Sequence, residues 1–281
     1  MSRLSIPKTY KLFIGGKFPR TESGRYFELA VRGDFVANVS RGSRKDLRNA
    51  VVAARKAFGG WADASAYLRG QILYRIAEVL DGRATQFVDE LVLQGMTAKK
   101  AREEVDDALD LLVHYAGWSD KYQAIFSTVN PVASEHFNFS RPEPTGVVGM
   151  LAPNERGLAG LVSVVAPALV GGNASVVLAS ENYPLSAISF AEVLATSDVP
   201  GGVVNVLTGH REELALEFAK HRDINAVVAC GESEGERKAL EVEAADNLKR
   251  VSLVGEGGPE TGPYAILDLQ EIKTTWHPVG I

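Results

Sequence analysis

Five short apolar runs that alternate with helical segments constrain the fold of this chain more than any other feature. The runs are rich in Val and Leu and show little polar alternation, which is typical of parallel strands buried on both faces. The predicted strands are 146–152, 174–178, 203–207, 225–229 and 249–254, and the predicted helices between them are 157–171, 184–196, 211–220 and 233–245. This order predicts an α/β fold with an open, parallel, doubly wound sheet.

Ligands of such sheets bind beyond the carboxyl ends of the strands. In this chain the predicted turns at that edge are 153–157, 179–181, 208–210 and 230–232. The first turn carries the polar residues Asn154, Glu155 and Arg156. Glu155 and Arg156 can form a site of their own, or they can be solvated or paired residues on a turn without chemistry. Both interpretations stay open on the sequence alone.

The first 130 residues predict a helical region preceded by a hairpin. The segment 10–18 is predicted to turn on Gly15-Gly16. Ser43 and Asp46 have capping-box spacing at the start of a helix. Two longer helices follow at about 66–94 and 97–121, and the acidic run within 103–107 is predicted to be a solvated helix face.

Charge and composition exclude several classes of partner. The formal charge is −5, and no dense Lys/Arg patch points to nucleic acid. The longest apolar run, 158–170, contains Pro167 and is too short to span a bilayer. The N-terminal segment lacks the apolar stretch of a signal peptide, and a single cysteine fits a reducing compartment. We therefore expect a cytoplasmic protein with no nucleic-acid or membrane partner.

Two groups of residues have alternative interpretations. Cys230 lies at a strand end before a helix, where a thiol pKa can fall, but it can also be a buried small residue. Acidic side chains follow it at Glu232, Glu234 and Glu236. They can ligate a metal, although acids in a first helical turn are ordinary partners of the helix dipole. The histidines are scattered without ligand spacing, so we predict no metal site.

Several segments occur in a recognisable order. They read EPTGVVGMLAP (143–153), APALVGGN (166–173), SENYPLSA (180–187), VPGGVVNVLTG (199–209) and NLKRVSL (247–253). AFGGW (57–61) and HYAGWSDKY (114–122) precede them. In order and spacing these segments resemble the NAD(P)-dependent aldehyde dehydrogenase superfamily from about Tyr10 onwards.

The resemblance implies a cofactor domain, a catalytic domain with a nucleophilic cysteine, and a small oligomerisation sheet. It divides this chain into N-terminal hairpin and helices (1–132), oligomerisation hairpin (133–145), Rossmann-like βα units (146–255), and linker with C-terminal strand (256–281). LQEIKTTWH (269–277) is similar to the family's final strand, while the short stretch GEGGPETGP (255–263) stands where the catalytic domain is expected. The resemblance therefore implies an aldehyde dehydrogenase-like chain without its catalytic domain.

The catalytic positions implied by the resemblance are degenerate. The oxyanion-donating Asn falls on Glu155, whose ionised carboxylate cannot donate a hydrogen bond. A one-residue gap would place Asn154 there instead. The general-base Glu falls on Val254, which has no titratable group. The nucleophilic cysteine belongs to the missing domain.

The cofactor positions are only partly kept. The ribose-binding Lys falls on Leu178, and the Gly-Ser that meets the pyrophosphate becomes Gly231-Glu232. No GxGxxG motif follows the first strand of the sheet. NAD or NADP binding is therefore implied only by resemblance. The vestigial cofactor contacts are expected at Pro153, Ser180, Glu181, Gly209 and Gly231.

Three functions remain as hypotheses. The first is an inactive, aldehyde dehydrogenase-like subunit that stabilises or regulates an intact aldehyde dehydrogenase in a hetero-oligomer. The second is a self-assembling nucleotide-binding protein, and the third is an NAD-dependent oxidoreductase that borrows catalytic residues from a partner. Trp276 on the last predicted strand is either an interface anchor or an ordinary packing residue.

Overall fold

A five-stranded parallel sheet forms the centre of the molecule. The structure is a computed structural model that describes residues 8–279. The sheet has the order β7-β6-β5-β8-β9. Its strands are β5 (Val147–Leu151), β6 (Ala174–Leu178), β7 (Val204–Leu207), β8 (Ala226–Cys230) and β9 (Arg250–Val254). All residues of β5 to β8 are buried, as predicted from their apolar runs, whereas the edge strand β9 is half-buried throughout.

Helices cover both faces of this sheet, which confirms the doubly wound α/β fold. The helices between the strands are α6 (Leu158–Val170), α7 (Pro184–Ala195), α8 (Arg211–Lys220) and α9 (Glu234–Ala245). One apolar cluster joins α6 and α7 to one face of the sheet, and a second joins α8 and α9 to the other. The apolar side chains on each face of the sheet are therefore covered by a layer of helices.

The N-terminal helices add to the helical layers on both faces of the parallel sheet. They are α1 (Arg44–Ala62), α2 (Ala66–Asp81), α3 (Ala84–Leu93), α4 (Ala98–Trp118) and α5 (Tyr122–Phe126). The capping box of Ser43 and Asp46 is present at the start of α1. The single helix predicted at 66–94 is wrong, because the chain breaks at Gly82 and Arg83 into α2 and α3.

Two turns precede the helices. Ile14 and Lys17 exchange main-chain hydrogen bonds of 2.9 and 3.1 Å around Gly15 and Gly16, so the predicted tight turn is confirmed. Both glycines have positive φ, which a two-residue hairpin turn requires. A second hairpin, β1 (Tyr26–Val31) with β2 (Asp34–Ser40), escaped the sequence analysis.

A three-stranded antiparallel sheet, which we call the arm, is separate from the parallel sheet. It has the order β10-β4-β3, with β3 (Thr128–Asn130), β4 (His136–Pro144) and β10 (Gln270–Pro278). β10 pairs with β4 from Gln270 opposite Pro144 to Pro278 opposite His136. The short helix α10 (Tyr264–Leu267) leads into β10, so the last part of the chain holds one helix and one strand.

Among residues 8–279, no helix combines the length and the apolar character that crossing a bilayer requires.

Candidate functional site

The topology of the parallel sheet places its ligand-binding position between β5 and β8. The chain leaves β5 towards β6 on one side and later returns to β8 on the other side. A crevice forms at such a switch point, beyond the carboxyl ends of the two strands. In this chain the loops 152–157 and 230–233 border that position, and we call it the β5–β8 crevice.

The polar turn after β5 is held by structural contacts. Asn154 Oδ1 accepts a hydrogen bond of 3.0 Å from the main-chain N–H of Glu181. Arg156 forms an ion pair with Glu104, Nε to Oε1 3.0 Å, and also contacts Asp107. The Glu155 side chain is exposed. Of the two interpretations of this turn, the structure supports paired and solvated residues.

Glu104 corrects the prediction of a solvated acidic face on α4. This carboxylate is buried, and its Oε2 accepts a hydrogen bond of 3.0 Å from the main-chain N–H of Ala159 at the start of α6. It therefore satisfies a free N–H group of that helix and fixes Arg156 at the same time. Tertiary packing of α4 on α6 explains the burial, which charge alone did not indicate.

The turn after β6 uses its polar groups to cap helices. Ser180 Oγ accepts hydrogen bonds of 3.1 Å from the N–H groups of Asn182 and Tyr183, before α7. Glu181 Oε1 accepts a hydrogen bond of 2.5 Å from the N–H of Arg211, at the start of α8, and Oε2 lies 3.1 Å from His210 Nδ1. Both carboxylate oxygens of Glu181 are thus engaged within the protein.

A buried ion pair fills the floor of the β5–β8 crevice. Arg211 Nη1 lies 3.0 Å from Glu232 Oε1, and the two side chains are 11% and 2% exposed. The same guanidinium donates hydrogen bonds to the carbonyl of Cys230, at 2.7 Å, and to that of Ala152. Arg211 therefore joins the ends of both strands that border the crevice.

The Glu256 side chain lies across the β5–β8 crevice and comes from the loop after the edge strand β9. Its Oε1 accepts hydrogen bonds from the main-chain N–H groups of Asn154 at 2.7 Å and Glu155 at 2.8 Å. A Cβ on Gly231, which has φ +75°, would overlap Oε2 of the same carboxylate. One side chain thus bridges the loop after β5 and the loop after β8.

The remaining candidates carry no reactive group at this edge. Cys230 is fully buried, and burial raises the pKa of its thiol to about 12, so the interpretation as a buried small residue is confirmed. Val254 ends β9 and is half-buried. Glu236 completes a capping box with Ser233. Within residues 8–279, no three His, Cys, Asp or Glu side chains converge on a possible metal position.

The structure gathers the five predicted cofactor positions at one edge of the sheet, after the strands on which the sequence placed them. Pro153 is buried and packs against Gly160 of α6, and Gly209 approaches the main chain of Gly42. Arg211 and Glu256 were missed by the sequence analysis. A cation at the first position of a helix opposes the helix dipole, so Arg211 was a detectable sign of a buried partner.

The residues of the β5–β8 crevice do not fit the pyrophosphate of NAD or NADP. The resemblance assigns that group to Gly231 and its neighbour, but the Glu256 carboxylate already lies against Gly231 and accepts hydrogen bonds from the N–H groups of Asn154 and Glu155. A dianionic pyrophosphate would therefore meet the negative charge of Glu256 and find this pair of N–H groups already occupied. Glu181, one of the expected cofactor contacts, is already held by the main-chain N–H of Arg211 and by His210.

Comparisons with known proteins agree with the fold and the segments described above. The profile of the aldehyde dehydrogenase family matches residues 25–262. Retinal dehydrogenase 2 of Mus musculus is 33% identical over 269 residues, which are 93% of this chain and 51% of that protein. An aldehyde dehydrogenase of Aspergillus niger is 32% identical over 246 residues, which are 86% of this chain and 49% of that protein.

Solved structures give the same result. The NAD+ complex of an aldehyde dehydrogenase from Bacillus cereus superimposes with a TM-score of 0.83 at 29% identity, and the match covers 88% of this chain and 51% of that one. The chain thus spans about half the length of the relatives that it matches. On the extent of the profile match and the shared Rossmann-type sheet, this chain belongs to the aldehyde dehydrogenase family.

Proposed function

We propose that this chain is a non-catalytic member of the aldehyde dehydrogenase family that acts as a cytoplasmic structural or regulatory subunit. Its partner in this proposal is an intact aldehyde dehydrogenase subunit, onto which the arm docks. The strand β10, of whose nine residues eight are exposed, is the observation that carries the proposal.

The candidate site supports the non-catalytic part of the proposal. The position implied for the oxyanion donor holds the exposed Glu155, and the position implied for the general base holds Val254. The single cysteine of the chain, Cys230, is buried with a raised pKa, so it supplies no thiolate. The two carboxylates at the β5–β8 crevice, Glu232 and Glu256, are already engaged by Arg211 and by main-chain N–H groups.

The arm supports the subunit part. Gln270 is buried at the start of β10, but the following eight residues of the strand are exposed. In the described part of the chain, β10 pairs with β4 alone and leaves its other edge without a strand. Free strand edges and exposed apolar side chains favour the addition of another chain.

Both faces of the arm carry apolar side chains. Ile272 and Trp276 are 53% and 58% exposed on one face. Phe137 and Val129, 46% and 67% exposed, lie on the opposite face beside Phe139. An arm of this composition gains stability when a partner covers it, at roughly 25 cal/mol for each Å² of apolar surface.

Co-expression with an intact aldehyde dehydrogenase paralogue from the same cell, followed by native mass spectrometry, tests the proposal. We expect a hetero-oligomer with the unchanged chain and its loss with Ile272→Asp combined with Trp276→Asp. Val242→Asp is a matched control, because Val242 is 62% exposed on α9, far from the arm.

Each other outcome has a defined meaning. A monomer in the presence of every intact paralogue contradicts the subunit proposal. A homo-oligomer that the same arm variants dissolve would instead favour the self-assembling alternative. Oxidation of an aldehyde with NAD by the purified chain would contradict the non-catalytic part.

A further inference from the structure

We propose that the Glu256 carboxylate is a built-in ligand that occupies an anion-binding site of the β5–β8 crevice, and that this site takes a phosphate or pyrophosphate group once the carboxylate is removed. The inference concerns the crevice and is independent of the partner proposed for the arm.

The geometry of the loop after β5 is that of an anion site. The consecutive N–H groups of Asn154 and Glu155 converge on one oxygen, Glu256 Oε1, at 2.7 and 2.8 Å. Successive main-chain N–H groups that point to one position form a concavity that binds anions. Hydrogen bonds from N–H groups to an ionised oxygen are also stronger than those to a neutral one.

The position of Glu256 Oε2 shows how large a group the site holds. Glu256 Oε2 lies so close to the Cα of Gly231 that a Cβ there would overlap it. The carboxylate therefore fills the gap between the two loops, and nothing but glycine at position 231 permits this approach. A group of similar size and charge, such as a phosphate, would find the same donors on one side and the same glycine on the other.

The charges beneath the site do not account for the position of Glu256. Arg211 is neutralised by Glu232, with which it forms a buried ion pair, so no unpaired cation in the floor attracts a second carboxylate. The main-chain N–H groups are the polar contacts of Glu256. They would lose their acceptor if the side chain were shortened, which leaves them available for an added anion.

The segment that carries Glu256 is held to the body of the protein at both of its ends. The segment 255–263 follows β9 directly, and Gly258 packs against Ser163 and Pro153 beside the crevice. After α10, the guanidinium of Arg250 donates a hydrogen bond of 2.9 Å to the carbonyl of Asp268. The carboxylate is therefore held over the crevice by the body of the protein.

Titration calorimetry and thermal unfolding with inorganic pyrophosphate test this inference on the full chain. We expect Glu256→Ala to bind pyrophosphate at least about tenfold more tightly than the unchanged chain and to gain melting temperature with it. Glu260→Ala is the matched control, because Glu260 is an exposed acid in the same segment, and it should behave like the unchanged chain.

Two results would overturn the inference. One is binding of NAD or pyrophosphate by the unchanged chain as tight as that by Glu256→Ala. The other is a folded Glu256→Ala chain that binds no pyrophosphate.

A measurement on the unchanged chain covers the case in which Glu256→Ala does not fold. In native-state hydrogen exchange, the main-chain amides of Asn154 and Glu155 should be protected, because each donates a hydrogen bond to the Glu256 carboxylate. Exchange of both amides as fast as in an unfolded chain would contradict the built-in ligand.

Discussion

The Arg211 guanidinium and the Glu232 carboxylate lie 3.0 Å apart, almost entirely removed from solvent, at the switch point between β5 and β8 of the parallel sheet. Their contact is a charge pair rather than a well-aligned hydrogen bond, since Glu232 Oε1 has no hydrogen-bond donor of suitable geometry. Burial of both charges makes the pair sensitive to the loss of either partner.

We expect Arg211→Met to lose about 3–5 kcal/mol of unfolding free energy at neutral pH, because a buried carboxylate is then left without its cation. Burial raises the pKa of Glu232. An acid whose pKa is raised in the folded state stabilises the folded protein at low pH. This stabilisation is lost as pH rises through the raised pKa. The stability of Arg211→Met should therefore recover on acidification, as measured by urea unfolding at several pH values.

The double variant Arg211→Met with Glu232→Leu is the control for that experiment. It removes both charges and should lose less stability than Arg211→Met alone. The explanation would be wrong if the two variants lost the same unfolding free energy, or if the stability of Arg211→Met did not depend on pH. Either result would show that the unpaired charge of Glu232 does not destabilise the folded state.

Cys230 should not react in the folded protein. Burial raises the pKa of its thiol to about 12, so almost no thiolate exists near pH 8. We expect no modification by Ellman's reagent in the native state and one equivalent in concentrated guanidinium chloride, because the chain has a single cysteine. Rapid native-state modification would place the thiol at the surface and contradict the structure.

Glu90 should make the folded protein less stable as pH rises. Its carboxylate accepts a hydrogen bond of 2.8 Å from Ser189 Oγ, while Oε2 is buried without a partner. Burial raises its pKa, although Lys8 acts in the opposite direction and Glu192 adds to the rise. The folded state therefore favours the protonated form, and its stability falls as pH rises through the raised pKa.

Glu90→Gln keeps the shape of this side chain without the charge. We expect its unfolding free energy at neutral pH to exceed that of the unchanged chain by about 1 kcal/mol, with a flatter dependence on pH. Urea midpoints between about pH 5 and 8 measure both quantities. A parallel pH dependence in the two proteins would rule out Glu90 as its origin.

Leu248 should be replaceable with a gain in stability. It has φ 54° in the turn before β9, and its side chain is 93% exposed. The left-handed conformation costs roughly 1 kcal/mol for a residue such as Leu and less for Asn. We expect Leu248→Asn to raise the unfolding free energy by about 0.5–1 kcal/mol. Val242→Asn, at an exposed position of regular helix α9, should show no such gain.

The parallel sheet could be predicted because its strands are buried on both faces, so their composition alone marks them. The β1–β2 hairpin was missed for the opposite reason: β1 alternates exposed and half-buried residues and includes no fully buried one. The break between α2 and α3 was missed because apolar residues continue on both sides of it. Leu80 and Phe87 are both fully buried, so the periodicity gives no sign of the turn.

The candidate site was predictable in position but not in content. A parallel sheet dictates that the turns containing Asn154 and Gly231 meet at one edge. Which side chain fills the gap between them depends on contacts across 102 residues, as between Asn154 and Glu256. No local pattern in the Gly-rich segment 255–263 distinguishes Glu256 from the exposed Glu260.

The pairing of β4 with β10 also has a consequence for the order of assembly. Ser140 and Thr274, whose hydroxyl groups lie 2.7 Å apart in the arm, are separated by 134 residues of sequence. During synthesis, β4 leaves the ribosome long before its neighbour exists, and the whole parallel sheet can form in the interval. The arm can thus close only after the strands of the parallel sheet have been made, and a partner that recognises the closed arm selects chains that have been translated through to β10.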